Sequence, residues 1–414
     1  MDKKWRRIKI GDLGRVVTGN TPPKKDKSNY GGPYPFIKPT DMTVGHRRCN
    51  EWEETYSEKA FQRYHRAYIP PGSTGVVTIG TVGEKLFQSN RWCFTNQSVN
   101  VVIPHQGQFD PDFVYYLMKV SLPKVENANP GTASGRHHVS KSNFESIGVD
   151  VPSYERQQKI GAVLSAYDEL IENNLKRIKL LEEKAQQTYE EWFVRMRFPG
   201  HEATPIDPAT GLPEGWEEQD LGDVAKMNVA SLKKGFRGSI RYIDISSVGP
   251  GVINGHEKFD FAEAPGRARR KAKHGDTIWS CVRPNRKSHA LVWSPHEDDV
   301  FSTGFCVISP EKRLQLFVHY ELKQDRFVDF LMNRATGAAY PAVKQKDFLD
   351  YPVSIPAQGL VDAFDDEVRP IADFCTSLKS MNTALEEARD ILLPRLMTGM
   401  IDVEELDVEL PMNA

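Results

Sequence analysis

Two long stretches of heptad-spaced apolar residues constrain this chain more than any other feature. In the first, Leu164, Ile171, Ile178, Ala185 and Trp192 fall seven residues apart, with Tyr167 and Leu181 between them. In the second, Ile371, Leu378, Leu385 and Leu392 repeat the spacing, with Phe374, Met381 and Ala388 at the intermediate positions. Such seams belong to long helices that pack on one another. The first helix is expected to start after Pro152-Ser153, with Ser153 as N-cap and Glu155 near the positive end of the dipole, and to stop at Phe198-Pro199-Gly200. Roughly 43 residues at about 1.5 Å each give about 65 Å. The second is expected from Gln358 to Thr398-Gly399, with a kink or break at Pro370 and a further proline, Pro394, near its end. Globular helices average about 12 residues, so stripes this long read as a helix pair rather than as ordinary core faces.

Each helix closes a stretch of similarly ordered sequence. Trp5…Ile10-Gly11-Asp12-Leu13 matches Trp216…Leu221-Gly222-Asp223-Val224, and Gly72-Ser73-Thr74 matches Gly275-Asp276-Thr277. Val101-Val102-Ile103-Pro104 corresponds to Val307-Ile308-Ser309-Pro310, and Asn143-Phe144…Val151-Pro152 to Asp347-Phe348…Ile355-Pro356. A shared order of weak matches points to internal duplication. Both halves alternate short β-rich runs with Gly and Pro, then carry a helical segment near Phe113 to Val120 and near Leu316 to Met332. The expected architecture is therefore two duplicated α/β (α+β) modules, joined by two long antiparallel coiled-coil helices with pseudo-two-fold symmetry. The expected divisions are 1–153, a helix over 154–198, a second module over 199–357, a helix over 358–400 and an acidic tail over 401–414.

The 414 residues exceed one compact core. No apolar run is long enough to cross a bilayer, and Met1-Asp2-Lys3-Lys4-Trp5 lacks the apolar core of a signal peptide. Five scattered cysteines, none in a Cys-x-x-Cys pair, point to a reducing cytoplasm. The chain contains no Gly-x-x-x-x-Gly-Lys-Ser/Thr loop, no Gly-x-Gly-x-x-Gly after a strand and no His-Glu-x-x-His helix. Neither a catalytic residue nor a metal site is expected; His137-His138 reads as a polar surface pair, because adjacent strand residues diverge.

The basic residues carry more information. The formal net charge is only −2, so polyanion binding requires segregated charge. From Pro265 to Lys287 the chain holds Arg267, Arg269, Arg270, Lys271, Lys273, Arg283, Arg286 and Lys287 against the single acid Asp276, with Asn285 among them. The first half offers Lys24, Lys25, Lys27, Arg47, Arg48, Arg136, His137 and Lys141; the second adds Lys233, Lys234, Arg237 and Lys344. Acids gather elsewhere, in Asp362 to Glu367 and Asp402 to Glu409. Loop cations neutralise phosphates, and a few Arg, Asn or Gln side chains read base edges, so these residues are the expected DNA contacts.

Several strings resemble one family. They are Leu180-Leu181-Glu182-Glu183-Lys184-Ala185-Gln186, Tyr189-Glu190-Glu191-Trp192-Phe193, Phe198-Pro199-Gly200-His201-Glu202 and Gly211-Leu212-Pro213-Glu214-Gly215-Trp216. The ending Leu392-Leu393-Pro394-Arg395-Leu396-Met397-Thr398-Gly399, the opening Gly19-Asn20-Thr21-Pro22-Pro23 and Gly131-Thr132-Ala133-Ser134-Gly135 belong with them. Together they resemble the DNA-specificity (S) subunit of type I restriction–modification systems. The resemblance implies two target-recognition domains, each reading half of an interrupted DNA target, and no catalytic site in this chain. It also implies two methyltransferase subunits bringing S-adenosylmethionine, and restriction subunits bringing ATP- and magnesium-dependent chemistry. The second half departs from the pattern, with Ser231-Leu232-Lys233-Lys234-Gly235 in place of Gly19 to Pro23. Trp192 and Phe193 are candidate docking anchors or fillers of the helix-pair end. The competing readings are a stand-alone nuclease or methyltransferase, which purified chain would reveal by its own activity, and a helical scaffold that binds no nucleic acid.

Overall fold

A computed structural model describes residues 5–128, 137–337 and 340–405. By its internal contacts the chain divides into two units: unit 1 comprises 1–176 with 380–414, and unit 2 comprises 177–379. Both boundaries fall inside long helices, so each unit contains a part of both.

Unit 1 begins with strands β1 (Arg6–Lys9), β2 (Gly14–Thr18), β3 (Tyr30–Ile37) and β4 (Glu54–Tyr56), then helix α1 (Glu58–Tyr64). Strands β5 (Thr74–Val77), β6 (Leu86–Gln88), β7 (Phe94–Thr95) and β8 (Val99–Pro104) follow. Helices α2 (Pro111–Asn127) and α3 (Lys141–Ser146), strand β9 (Gly148–Val151) and the long helix α4 (Tyr154–Tyr189) come next. The principal sheet has the order β2-β8-β5-β6; a smaller one runs β4-β3-β7, and β1 pairs with β9. Every residue of β5 is buried, as are Val99 to Val102 of β8. Continuous β-branched runs suit such central strands. Asp110 caps α2 by accepting from the Phe113 amide at 2.8 Å, and Pro111 sits at the first turn, where no amide proton is needed.

Unit 2 contains β10 (Glu217–Asp220), the one-turn α5 (Leu221–Val224), β11 (Ala225–Met227), β12 (Ala230–Ser231) and β13 (Ser239–Ile243). Then come β14 (Val248–Gly249), β15 (Val252–Ile253), β16 (Glu257–Asp260), β17 (Ala268–Lys271) and β18 (Asp276–Ser280). Strands β19 (His289–Val292), β20 (Asp299–Ser302) and β21 (Phe305–Pro310) precede α6 (Gln315–Leu322), α7 (Asp325–Arg334) and α8 (Gln345–Leu349). The chain continues through β22 (Pro352–Ile355) into the long helix α9 (Gln358–Met397). The sheets run β11-β21-β18-β19 and β12-β17-β20-β13-β16, with β10 paired to β22 and β14 to β15. The helical segment expected from Leu316 to Met332 is two helices, interrupted at Lys323-Gln324.

Each unit has its own apolar core. In unit 1, Phe113, Tyr116, Phe144 and Val149 pack with Ile160 and Leu164 of α4 and with Leu393 and Leu396 of α9. In unit 2, Trp279, Phe317, Phe327 and Phe348 pack with Ile178, Ala185 and Tyr189 of α4 and with Phe364, Ile371 and Leu378 of α9.

The long helices differ from expectation in three respects. First, α4 gives way after Tyr189 to a π-helical turn, Glu190–Val194, where the Arg195 amide reaches the Glu190 carbonyl at 2.8 Å, rather than continuing to Phe198. Second, α9 is one helix through Pro370 and Pro394. Both prolines lie on its exposed face, where water can satisfy the carbonyls they orphan. Third, the α9 seam is offset by one residue: Phe374 and Met381 are 42% and 53% exposed, while Cys375, Asn382 and Arg389 are buried. Two of those buried positions are polar, and a search for apolar spacing passes over them.

Candidate nucleic-acid interface

Several exposed cations of unit 2 lie on the segment that follows β12, an edge strand of the five-stranded sheet. The segment from Leu232 to Gly238 leaves β12 and stays tied to β17 through the Leu232 amide, which donates to the Arg269 carbonyl at 2.8 Å. Lys233, Lys234 and Arg237 on that segment are exposed. Phe236 meets Phe261 edge-on at 5.3 Å, and the Arg269 guanidinium lies 4.5 Å from the same Phe261 ring. The Phe261 ring thus holds the Arg269 guanidinium beside the exposed segment.

The Arg267-to-Lys273 cluster separates by burial. Arg267 and Lys273 are exposed, whereas Arg269, Arg270 and Lys271 are half-buried. Lys271 is a correction to the expected DNA contacts: its ammonium donates to the Glu297 and Asp299 carbonyls at 2.6 and 2.7 Å, and burial lowers its pKa. It ties β17 to the segment leading into β20 instead of presenting a free charge. Beyond β18, Asn285 and Arg286 are exposed at the tip of a turn, with Arg283 half-buried beside it. Lys344 is exposed just before α8, where its amide donates to Asp347 at 2.7 Å.

In unit 1 the expected residues differ in exposure and pairing. Lys24, Lys25 and Lys27 are exposed on the loop before β3. Asp26 among them is held down to about 2 by the Lys59 ammonium, 2.8 Å away, assisted by Ser28. Arg47 is a second correction. It is 1% exposed, donates to Gln88 at 2.7 Å and pairs with Asp112, so it has no face to offer a phosphate. Arg48 is half-buried, 3.8 Å from Glu172. His137 and Lys141 are exposed, the latter 3.5 Å from Glu145. Arg136 lies outside the described residues, as does Gly131 to Gly135.

The sequence reading missed an aromatic–cation surface in unit 1. Trp92 is 50% exposed and stacks on Tyr68 at 5.2 Å, and the Arg91 guanidinium lies 5.0 Å from the Trp52 ring. The Asn90-Arg91-Trp92 string was the available signal. Of the two docking candidates, Trp192 is half-buried, whereas Phe193 is buried against Tyr189, Trp216, Phe317 and Phe364, so of its two expected roles it has the packing one rather than that of an anchor. Among the described residues no group of three or more His, Cys, Asp or Glu is placed to hold a metal ion, and no helix is long and apolar enough to cross a membrane.

The chain is similar to known proteins in sequence and in fold. Residues 2–183 match the model of the type I restriction modification DNA specificity domain. The type I restriction enzyme MjaIX specificity subunit of Methanocaldococcus jannaschii is 26% identical over 415 residues, spanning 98% of this chain and 95% of the relative. The HindI specificity subunit of Haemophilus influenzae is 30% identical over 187 residues, 43% of this chain and 39% of that protein. Among solved structures, the type I restriction–modification S subunit of M. genitalium shares the fold with a TM-score of 0.56 at 16% identity, covering 96% of this chain and 97% of that one.

Proposed function

We propose, from the premise that this chain belongs to the specificity subunits of type I restriction–modification systems, that each of its units reads one half of a bipartite DNA target and that α4 and α9 set the gap between the halves. A specificity subunit is the DNA-recognising, non-catalytic component of such a system. The observation that carries the bipartite reading is topological. The four-stranded sheets β2-β8-β5-β6 and β11-β21-β18-β19 have the same order, and each is followed in the chain by helices, a short strand and a long helix. A duplicated reader needs a duplicated scaffold, and this is what one would look like.

In this reading α4 and α9 run antiparallel. Support comes from contacts inside each unit: Asp168 with Arg389 and Asn174 with Asn382 in unit 1, Glu182 with Lys379 in unit 2. Residue numbers rise along one helix as they fall along the other. Methyltransferase subunits would dock on the outward faces of these helices, where Phe374 and Met381 are exposed. Those subunits would bring S-adenosylmethionine, and restriction subunits ATP and magnesium; the isolated chain is proposed to need none of them to bind duplex DNA.

The exposed cations of unit 2 supply the test. Replacing Lys233, Lys234, Arg237 and Arg267 by Ala should weaken binding of the purified chain to duplex DNA. The slope of log K against log salt should become shallower by about 0.9 for each phosphate contact removed. Filter binding across a salt series reads both, and an unchanged slope would take this surface out of the interface.

A further inference from the structure

The connection between β18 and β19 turns through Arg283-Pro284-Asn285-Arg286-Lys287, and both ends of that turn are left-handed: Arg283 has φ 52° and Lys287 has φ 53°. Glycine adopts this conformation freely, whereas L side chains do so at a cost. The surrounding structure holds the turn in place. The Arg283 amide donates to the Pro341 carbonyl at 2.7 Å, and the Val343 amide to the Cys281 carbonyl at 2.9 Å, so a second segment is strapped along it. Pro284 is buried, the Lys287 ammonium pairs with Asp325, and the Lys287 carbonyl lies 2.7 Å from His289 Nδ1.

The equivalent connection in unit 1, between β5 and β6, makes the same kind of pairing without side chains at its left-handed positions. There the Gly80 amide donates to the His137 carbonyl at 3.1 Å and the Val139 amide to Thr78 at 2.9 Å, while Gly80 and Gly83 take the positive φ values. Unit 2 therefore keeps a costly backbone where a glycine would serve, and what it gains is a side chain. The Arg283 guanidinium sits 4.2 Å from the Tyr340 ring, which is itself 66% exposed. Asn285 and Arg286 project at the tip, and among the described residues neither side chain has a hydrogen-bond or ion-pair partner. Strain concentrated under unpaired polar side chains is a mark of a binding element.

We infer that this turn is the base-reading element of unit 2, with Asn285 selecting an adenine and Arg286 a guanine, and with Arg283 on Tyr340 as the positioning pair. This rests on the reading of the chain as a DNA-specificity subunit. The chemistry is that of the major groove: an Asn amide matches adenine N6 and N7, and a guanidinium fork matches guanine O6 and N7. It also separates the two halves of the target, because the Gly80-to-Glu84 turn of unit 1 carries no Asn or Arg.

The test is the methylation motif of cells carrying the full chain with its methyltransferase partners, for wild type, Asn285→Ala and Arg286→Ala. Each variant should relax one position of one half-site, with discrimination there falling roughly ten- to hundredfold, the size of one bidentate contact. The other half-site and the gap should be untouched. Both side chains are exposed, and unchanged thermal unfolding of the purified variants confirms that folding is not involved. An unchanged motif in both variants, or equal weakening at every position, overturns the inference. A wild type that yields no bipartite motif overturns the parent reading instead, so the two failures are distinguishable.

Discussion

Arg47 and His289 show how far a residue's role depends on partners remote in sequence. Arg47 sits in the polar run Gly45-His46-Arg47-Arg48 and reads as a surface cation. Its partners Gln88 and Asp112 lie 41 and 65 positions away, and only the fold brings them to it. His289 carried no signal. It is buried and stacked on Trp279 at 4.3 Å, and burial brings its pKa down to about 4; the neighbouring His319, 3.2 Å from Thr277 Oγ1, is driven well below its ordinary value. A histidine kept neutral in the fold binds its proton more readily when unfolded. Its contribution is therefore fully present above the unfolded pKa near 6.5 and is lost as pH falls toward 4. For His289 the loss should reach about 3 kcal/mol. Urea unfolding from pH 7 to 4 should show a steeper decline for wild type than for His289→Gln. Parallel declines would mean that the His289 imidazole keeps its ordinary pKa in the folded protein.

Among the elements, the long helices were the most legible part of the sequence, and their buried faces the least. The heptads at Leu164, Ile171 and Ile178 and at Ile371 and Leu378 mark residues that are buried. The intermediate positions misled because the buried residues include paired polar groups: Asp168, Asn382 and Arg389, each one residue beyond an expected apolar position, and Asn174 midway between Tyr167 and Leu181. Asp168 and Arg389 are each 2% exposed, they bond to one another, and Asp168 also accepts from Tyr116. Breaking one side of such a pair leaves an uncompensated charge in the interior, a cost of about 3–5 kcal/mol. Arg389→Met should destabilise the chain by that amount in urea unfolding. Adding Asp168→Asn, which removes the stranded charge and still accepts from Tyr116, should restore most of it. A single variant at wild-type stability would show that the pair is solvated. The sheets were legible as β-rich runs bounded by Gly and Pro, but strand order was not, since pairing such as β2 with β8 joins segments more than 80 residues apart and nothing local encodes it.

At the scale of the molecule, weak repeats in a fixed order pointed to two similar halves, and the family strings pointed to DNA recognition. The candidate surface was only half legible. Cation-rich sequence identified Lys233, Lys234, Arg237 and Arg267, which are exposed, but could not distinguish them from Lys271 and Arg47, which are tied down. Aromatic neighbours such as Trp92 and Tyr340 escaped because charge was the search criterion. The central claim is that two readers are held at a set spacing by α4 and α9. It is tested by comparing the methylation motif of cells carrying the wild-type chain and its partners with that of a variant carrying one extra helical turn between Lys176 and Glu190. The account predicts two half-sites separated by a fixed unread gap, about one DNA turn or roughly 10 bp centre to centre, and a changed gap with identical half-sites in the variant. A motif without a gap, or a gap indifferent to the insertion, would contradict it.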